Sequence, residues 1–152
     1  MEPKIISRAA FTVAGLVHRG VVDGEKVGEL WGRFFARCGE LPGIIAPDVA
    51  YGVMANYDEA SGEFDYIAGM EVASGEGLPP DFVAVPFPAV AWAVFTTTIP
   101  EMSQAYPYIY GTWLPGSGYQ HGPAAEFELY GPTFDPGKPE SPVDIYIPVV
   151  KA

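Results

Sequence analysis

Carboxylates and tyrosines that alternate with apolar residues carry the clearest chemistry in this sequence. Glu126, Glu128 and Tyr130 are separated by Phe127 and Leu129. An alternation of period two predicts a half-buried strand, with the apolar side chains on one face and the polar ones on the other. Carboxylates beside aromatic rings suit a flat or cationic organic ligand. The segment therefore predicts a small-molecule site with Glu128 at its centre.

A second alternating segment covers residues 143–150. Ile145 and Ile147 are expected on the core face of this strand, which puts Tyr146 on the same side as Glu128. Stacking of the Tyr146 ring on a ligand and ordinary surface packing are both open at this point.

Other parts of the chain supply candidate walls for the site. Glu71 is the acidic residue of the corresponding strand in the first half, and Glu126 shares a face with Glu128 nearer the strand start. Trp113 is expected either at the pocket rim or in the core, and Trp92 either at the pocket floor or in the core. The predicted ligand-binding residues are Glu128, Tyr146, Tyr130, Trp113, Glu71, Tyr51, Tyr66 and Trp92.

The composition limits the kinds of partner. With 152 residues and 49% hydrophobic content, one globular domain with a substantial core is expected. Only 8 Lys and Arg oppose 19 Asp and Glu, and the net charge of −11 disfavours direct nucleic-acid binding and docking on anionic membranes. The acidic field favours encounter with cationic ligands. A soluble cytoplasmic protein is expected, since no signal peptide opens the chain and no apolar run reaches about 18 residues.

Residues that bind metals and cofactors are sparse. Cys38 is the single cysteine and falls on the apolar stripe of a predicted helix, while His18 and His121 are far apart in the sequence. No metal-ligand spacing, P-loop or dinucleotide fingerprint accompanies them. Neither a metal nor a cofactor is expected.

The predicted elements follow the order strand, helix, strand, strand, and this order occurs twice. Apolar spacing predicts a helix over residues 24–39 and helical pieces over 100–113, where Pro107 interrupts the pattern. The two pseudo-repeats span 4–73 and 82–150, with a Gly- and Pro-rich linker between them. The fold class is therefore predicted as α+β, with duplicated βαββ units that form one antiparallel sheet. Two helices are expected on one face of the sheet and a ligand trough on the other.

Several short motifs occur in an order that resembles a known family. They span residues 108–115, 117–119, 126–130 and 144–149. Together they resemble the GyrI-like effector-binding domain, which also follows the DNA-binding part of some AraC-type and MerR-type multidrug-responsive regulators. The resemblance covers essentially the whole chain and implies a single domain over residues 1–152.

The resemblance also implies a kind of site. The family has an aromatic-lined pocket with an acidic residue inside, which often binds lipophilic cations. Glu128 matches this acid, and Tyr146 matches an aromatic position on the last strand. Since no helix-turn-helix fits in the chain, a transcriptional role implies a separate regulator or a homodimer as partner.

Three functions are compatible with the sequence. A binding module for aromatic, lipophilic and cationic small molecules is favoured, because one carboxylate stands out and no second catalytic group does. The resemblance also implies an alternative, a hydrolase of cyclopropane-bearing genotoxins. There Glu128 acts as general base towards a water, and tyrosine hydroxyls or Trp113 orient the electrophile. The third function is a gyrase-inhibitor-like interaction protein, with which the acidic surface is compatible.

Overall fold

A computed structural model describes residues 1–21 and 24–152. Its strands are β1 (Lys4–Arg8), β2 (Phe11–Gly20), β3 (Ala50–Ala55), β4 (Phe64–Val72), β5 (Phe82–Phe87), β6 (Val90–Thr97), β7 (Tyr119–His121), β8 (Glu126–Tyr130) and β9 (Val143–Lys151). Its α-helices are α1 (Gly24–Arg37), α2 (Met102–Tyr108) and the short α3 (Leu114–Gly116). None of the helices in the described ranges has the length and apolar character that a membrane crossing requires.

Helix α1 follows from the apolar spacing of its sequence. Leu30 and Phe34 are fully buried, and both lie on the predicted apolar stripe. The α-helix ends at Arg37 and continues as a 3-10 turn over Cys38–Glu40, so the predicted helix is confirmed to within two residues. The other side of α1 stays open to solvent.

The second helical segment is divided, as Pro107 predicted. Helix α2 contains Pro107 and is followed by a π-helical turn over Ile109–Trp113 and then by α3. Proline has no backbone N–H to donate to the preceding turn, which weakens the regular α-helical hydrogen-bond ladder at this place. Ala105 and Ile109 nevertheless keep their side chains buried against the sheet.

The strands form one antiparallel sheet. Their order is β1-β6-β9-β8-β3-β4-β2-β5, and β7 also pairs with β9. The central pair is β3 and β8, one strand from each half of the chain. Strand β1 pairs with β6 of the second half, while β5 pairs with β2 of the first. The α+β class and the single antiparallel sheet are confirmed, and superposition of the two halves stays a prediction.

Both helices lie on one face of this sheet. In antiparallel pairs, residues directly opposite each other project to the same side. Tyr66 is opposite Met54, Met54 is opposite Glu126, and Glu128 is opposite Ile145. Helix α1 packs in a cluster with Tyr66, and α2 packs in a cluster with Ile145. The predicted placement of the helices is confirmed.

The helix-free face is concave and filled. The ring centroids of Phe11 on β2 and Trp92 on β6 are 6.5 Å apart, although four strands separate β2 from β6. In a flat sheet that separation would be about 24 Å, so the sheet curls around this face. An aromatic cluster occupies the hollow, with Phe11, Tyr51, Phe87, Trp92 and Phe127. The prediction of a ligand trough on this face is therefore wrong, because these rings fill the space.

Candidate functional site

A cleft of about 1650 Å³ opens on the helix-bearing face. Because this face is convex, α1 covers β2 and β4 while α2 covers β6 and β9, and neither helix covers the central pair β3 and β8. Trp31 and Phe35 of α1 line one side of the cleft, and Tyr106 of α2 lines the other. Glu128 and Tyr130 of β8 lie between them.

Glu128 is the buried polar centre of this cleft. The residue is only 6% exposed, and each of its carboxyl oxygens accepts a hydrogen bond from a tyrosine. The Tyr106 hydroxyl donates to Oε2 and the Tyr130 hydroxyl donates to Oε1, both at 2.8 Å. Tyr106 also contacts Met54 Sδ at 3.9 Å. Two neutral donors thus fix the carboxyl group in position. Among the described residues, no cationic side chain forms an ion pair with it.

The surroundings disfavour the charged form of Glu128. Burial raises its pKa, and the charge of Glu126 raises it further, while the two tyrosine hydrogen bonds act in the opposite direction. Burial and the nearby Glu128 raise the pKa values of Tyr106 and Tyr130 far above their usual range. Both phenols therefore remain hydrogen-bond donors at any physiological pH.

Gly52 makes room for this arrangement. It lies directly opposite Glu128 in the register of β3 and β8. A Cβ atom at this position would overlap the Tyr66 hydroxyl and lie 3.4 Å from Glu128 Oε1. The Tyr66 hydroxyl in turn accepts a hydrogen bond from Trp31 Nε1 at 3.1 Å. A glycine within a strand here marks the close approach of a functional side chain.

Glu126 forms a second polar position nearer the edge of the cleft. It is partly buried and lines the cleft, and the Tyr110 hydroxyl donates a hydrogen bond to its Oε2. The Tyr110 ring stacks on His121, with centroids 6.2 Å apart. Burial raises the pKa of Glu126, while the hydrogen bond from Tyr110 and the charge of His121 act against it. Within the described residues, no group of three or more potential metal ligands comes together here or elsewhere.

The remaining walls are apolar and largely aromatic. Methionines contribute flexible surface that adapts to ligands of different shape. Among the described residues that line the cleft, the acidic side chains are Asp48, Glu126 and Glu128, and the basic ones are Lys138 and His121. The principal apolar wall residues are Trp31, Phe35, Met54, Tyr57, Phe64, Met70, Met102 and Phe134.

The family profile of the GyrI-like small molecule binding domain matches residues 1–150. The chain belongs to this family. The GyrI-like domain is 38% identical to the transcriptional regulator BrlR of Pseudomonas aeruginosa over 152 residues. This match covers 98% of the chain and 56% of BrlR, so the domain spans little more than half the length of that regulator.

Two solved structures share the fold of this GyrI-like domain. The C-terminal domain of EcmrR superposes with a TM-score of 0.74 at 14% identity, over 99% of this chain and 98% of that one. SAV2435, in a structure bound to tetraphenylphosphonium, superposes with a TM-score of 0.67 at 17% identity, over 99% of this chain and 94% of that one.

The structure brings together three of the residues predicted for the GyrI-like site. Glu128, Tyr130 and Tyr66 all line the cleft, together with Glu126. Their roles in ligand binding stay predictions. Tyr146, by contrast, lies on the helix-free face, where its ring stacks on Phe127 with centroids 4.5 Å apart. The expectation that it shares a face with Glu128 is wrong, because the strand register sets Phe127, not Glu128, opposite Tyr146.

The other predicted wall residues lie away from the cleft of the GyrI-like domain. On the helix-free face, Arg8 Nη2 donates to Tyr51 at 2.8 Å and forms an ion pair with Glu71 at 3.1 Å. Trp92 is fully buried in the aromatic cluster of the concave face. Trp113 packs edge-to-face on a core phenylalanine under the second helical segment, with ring centroids 5.1 Å apart, and does not line the cleft.

Several side chains of the cleft were missed from the sequence. Tyr106, Trp31 and Tyr110 form hydrogen bonds in or beside the cleft but are not among the residues predicted for the site. The signal for Tyr106 and Trp31 was the polar group at the end of each side chain, since a tyrosine hydroxyl or an indole N–H at the edge of a buried stripe needs a hydrogen-bond partner. The signal for Gly52 was its place inside an apolar strand.

Proposed function

We propose that the cleft binds aromatic, lipophilic cations and that Glu128 is the counter-charge. The family assigns small-molecule binding to the domain, and the cationic character of the ligand is the further step. The observation that carries it is the environment of Glu128, whose carboxyl group is almost fully buried, held by two tyrosine hydroxyls and without a cation among the described residues.

The physical basis is the cost of a buried charge. A carboxylate removed from water is costly unless a positive group compensates it. A ligand that brings a cation into the cleft supplies that compensation, whereas a neutral ligand of the same shape does not. The aromatic and methionine walls add apolar contact and, through ring faces, cation–π attraction. Affinity then depends on charge and apolar area more than on a single ligand shape.

The comparisons support this proposal. SAV2435, which shares the fold, binds tetraphenylphosphonium in its solved structure, and that ion is a bulky aromatic cation. BrlR is a transcriptional regulator, which fits a role in which ligand binding is passed to a DNA-binding partner. A separate regulator or a homodimer as partner, and a cytoplasmic location, stay predictions.

The hydrolase alternative is less well supported by the geometry. A general base needs a carboxylate oxygen that is free to accept a proton from a water, whereas each oxygen of Glu128 already accepts a hydrogen bond from a tyrosine. Trp113, one of the groups that could orient the electrophile in that mechanism, packs against the core instead. No observation in the described residues favours gyrase inhibition.

Binding of two ions of nearly equal shape and opposite charge tests the proposal. Tetraphenylphosphonium is expected to bind the wild-type protein, while tetraphenylborate is expected not to. Removing the counter-charge with Glu128→Gln should weaken tetraphenylphosphonium binding by about tenfold or more, because hydrogen-bonded charged groups are worth about 1.5–3 kcal/mol. Fluorescence of Trp31, which lines the cleft, and titration calorimetry measure the affinities.

A matched control separates the local role of Glu128 from the general acidic field. Glu76 is exposed in the loop between β4 and β5 and does not line the cleft. Glu76→Gln removes the same charge and should leave the affinity for tetraphenylphosphonium unchanged. Equal affinities of the wild-type and Glu128→Gln proteins would refute Glu128 as the counter-charge.

A further inference from the structure

Besides the exposed Asp48, the cleft holds two carboxylates, and each of these two has its own tyrosine donor or donors. Glu128 accepts from Tyr106 and Tyr130. Glu126 accepts from Tyr110, on the π-helical turn that follows α2. No tyrosine is shared between the two carboxyl groups, so the cleft contains two separate acidic positions along β8.

The spacing of these positions is set by the strand. Glu126 and Glu128 are two residues apart on β8 and project to the same face, which places their Cα atoms about 7 Å apart. Neither carboxylate forms an ion pair with a cation in the described part of the chain. Buried carboxylates are normally paired with cations, and here the buried Glu128 and the partly buried Glu126 lack such a partner among the described residues.

The volume of the cleft allows an extended ligand. Sites for drug-sized molecules typically measure about 300–1,000 Å³, and this cleft of about 1650 Å³ is larger. Its apolar walls continue past Glu126 to Ala124 and Ala125. A rigid aromatic molecule lying along β8 has room to reach both carboxylates.

From this arrangement we infer that the preferred ligands are rigid aromatic dications, with one positive centre at Glu128 and the other at Glu126. The inference rests on the proposed function, since it adds a second counter-charge to the same site. Glu126 then determines specificity for ligand charge, while Glu128 is needed for any cation. The nearby His121 does not replace the second cation, because it is exposed and stacked on Tyr110.

Two probes of almost the same size and shape distinguish one counter-charge from two. The dimethyl bipyridinium dication carries two ring nitrogens at a separation comparable to that of the two glutamates. The methyl phenylpyridinium monocation lacks one of these charges. Titration calorimetry on the wild-type protein should show the dication binding at least about tenfold more tightly than the monocation. This comparison needs no variant.

Single substitutions then assign the two positions. Glu126→Gln should weaken binding of the dication about tenfold more than it weakens binding of the monocation, so that the preference disappears. Glu128→Gln should weaken both probes. Glu76→Gln is the charge-matched control and should change neither, and circular dichroism of each variant verifies its fold.

The outcomes separate this inference from the proposed function. Equal affinities of the two probes for the wild-type protein, or equal losses of both in Glu126→Gln, would overturn the dication inference while leaving a monocation site at Glu128. Absence of binding by both probes and by tetraphenylphosphonium would overturn the proposed function itself.

Discussion

At the scale of single residues, the burial of the Glu128 carboxyl group acts against folding at neutral pH. Burial raises the pKa of its carboxyl group, and the hydrogen bonds from Tyr130 and Tyr106 oppose that effect. A raised pKa in the folded state means that the folded protein holds a proton that the unfolded chain releases. This contribution to stability is therefore complete below the ordinary glutamate pKa near 4.3 and is lost as the pH rises to the raised folded value.

Glu128→Gln should consequently stabilise the unliganded protein at neutral pH. The amide carries no charge, so the variant avoids the cost of ionising a buried group. An increase in the unfolding free energy of about 0.5–2 kcal/mol is expected, as for other substitutions that relieve a functional site. Urea unfolding at a series of pH values measures it, and the difference between the variant and the wild-type protein should grow as the pH rises above the ordinary glutamate pKa.

A bound cation should reverse the order of stability of the wild-type protein and Glu128→Gln. At a given concentration of tetraphenylphosphonium, the gain in unfolding free energy rises with the logarithm of the affinity, so the wild-type protein should gain more than Glu128→Gln. Glu76→Gln, which changes an exposed carboxylate, should follow the wild-type pH dependence. Stability curves for wild type and Glu128→Gln that stay parallel across the pH series would contradict the role of burial.

Individual site residues were predictable where the signal lies within one strand. Alternation along β8 indicated Glu128, Tyr130 and Glu126 because side-chain direction within a strand has period two. Tyr146 was misplaced because its face relative to Glu128 depends on the register between β8 and β9. The sequence of either strand alone does not contain that register.

At the scale of elements, strand β3 is shaped for the side chain of Tyr66. The Tyr66 ring passes over Gly52, and a Cβ atom there would lie 3.0 Å from Cζ and overlap the hydroxyl. Tyr66 is buried, and the indole N–H of Trp31 donates a hydrogen bond that holds its hydroxyl over Gly52. The absence of a side chain at Gly52 is therefore a requirement of the cleft.

Gly52→Ala should displace Tyr66 and disturb the floor of the cleft. A loss of about 1–3 kcal/mol in unfolding free energy is expected, as for other overpacked sites, together with weaker binding of tetraphenylphosphonium. Urea unfolding and calorimetric titration measure the two effects. The double variant Gly52→Ala/Tyr66→Phe removes the overlapping hydroxyl and should recover part of the lost stability.

Another glycine provides the control. Gly32 lies within α1, and a Cβ atom there would meet no atom within 4 Å. Gly32→Ala should therefore stabilise the protein by about 0.5–1 kcal/mol, since glycine inside a helix is less favourable than alanine. Stabilisation by Gly52→Ala as well would show that β3 tolerates a side chain at that position.

The elements themselves were largely predictable, because they depend on local periodicity. The apolar stripe of α1 and the disruption at Pro107 are both properties of short segments. The division of the first predicted strand of each half into two strands was not predicted. β1 and β2, and likewise β5 and β6, are separated by only two residues but pair with different strands, and this depends on distant parts of the chain.

At the scale of the whole molecule, curvature determines which face of the sheet carries the cleft. Both faces of the sheet are buried in places, so alternation along a strand marks two sides without showing which one the helices cover. The curl brings Phe11 and Trp92 together and fills the concave face. It also makes the opposite face convex, so that α1 and α2 leave β3 and β8 open. The position of the cleft therefore could not be predicted without the tertiary structure.

The same topology links the two halves of the chain. β1 completes the sheet next to β6, and β5 completes it next to β2. The concave cluster also draws on both halves, since Trp92 packs on Phe127 and Phe11, with ring centroids 5.0 and 6.5 Å apart. Unfolding of either half would remove strand partners and core contacts from the other, which argues for a single folding unit.

The final prediction is that residues 1–152 unfold in one cooperative step. The three tryptophans report on three regions, because Trp31 belongs to α1, Trp92 lies in the concave cluster and Trp113 ends the π-helical turn after α2. Single-tryptophan variants, with the other two replaced by Phe, isolate each signal. In every variant the urea curve from fluorescence should coincide with the curve from far-ultraviolet circular dichroism, as two-state unfolding requires. Separate transitions for Trp31 and Trp113, each distinct from the circular-dichroism curve, would show that the two halves unfold independently. The pairing of β1 with β6 and of β5 with β2 would then contribute little to stability.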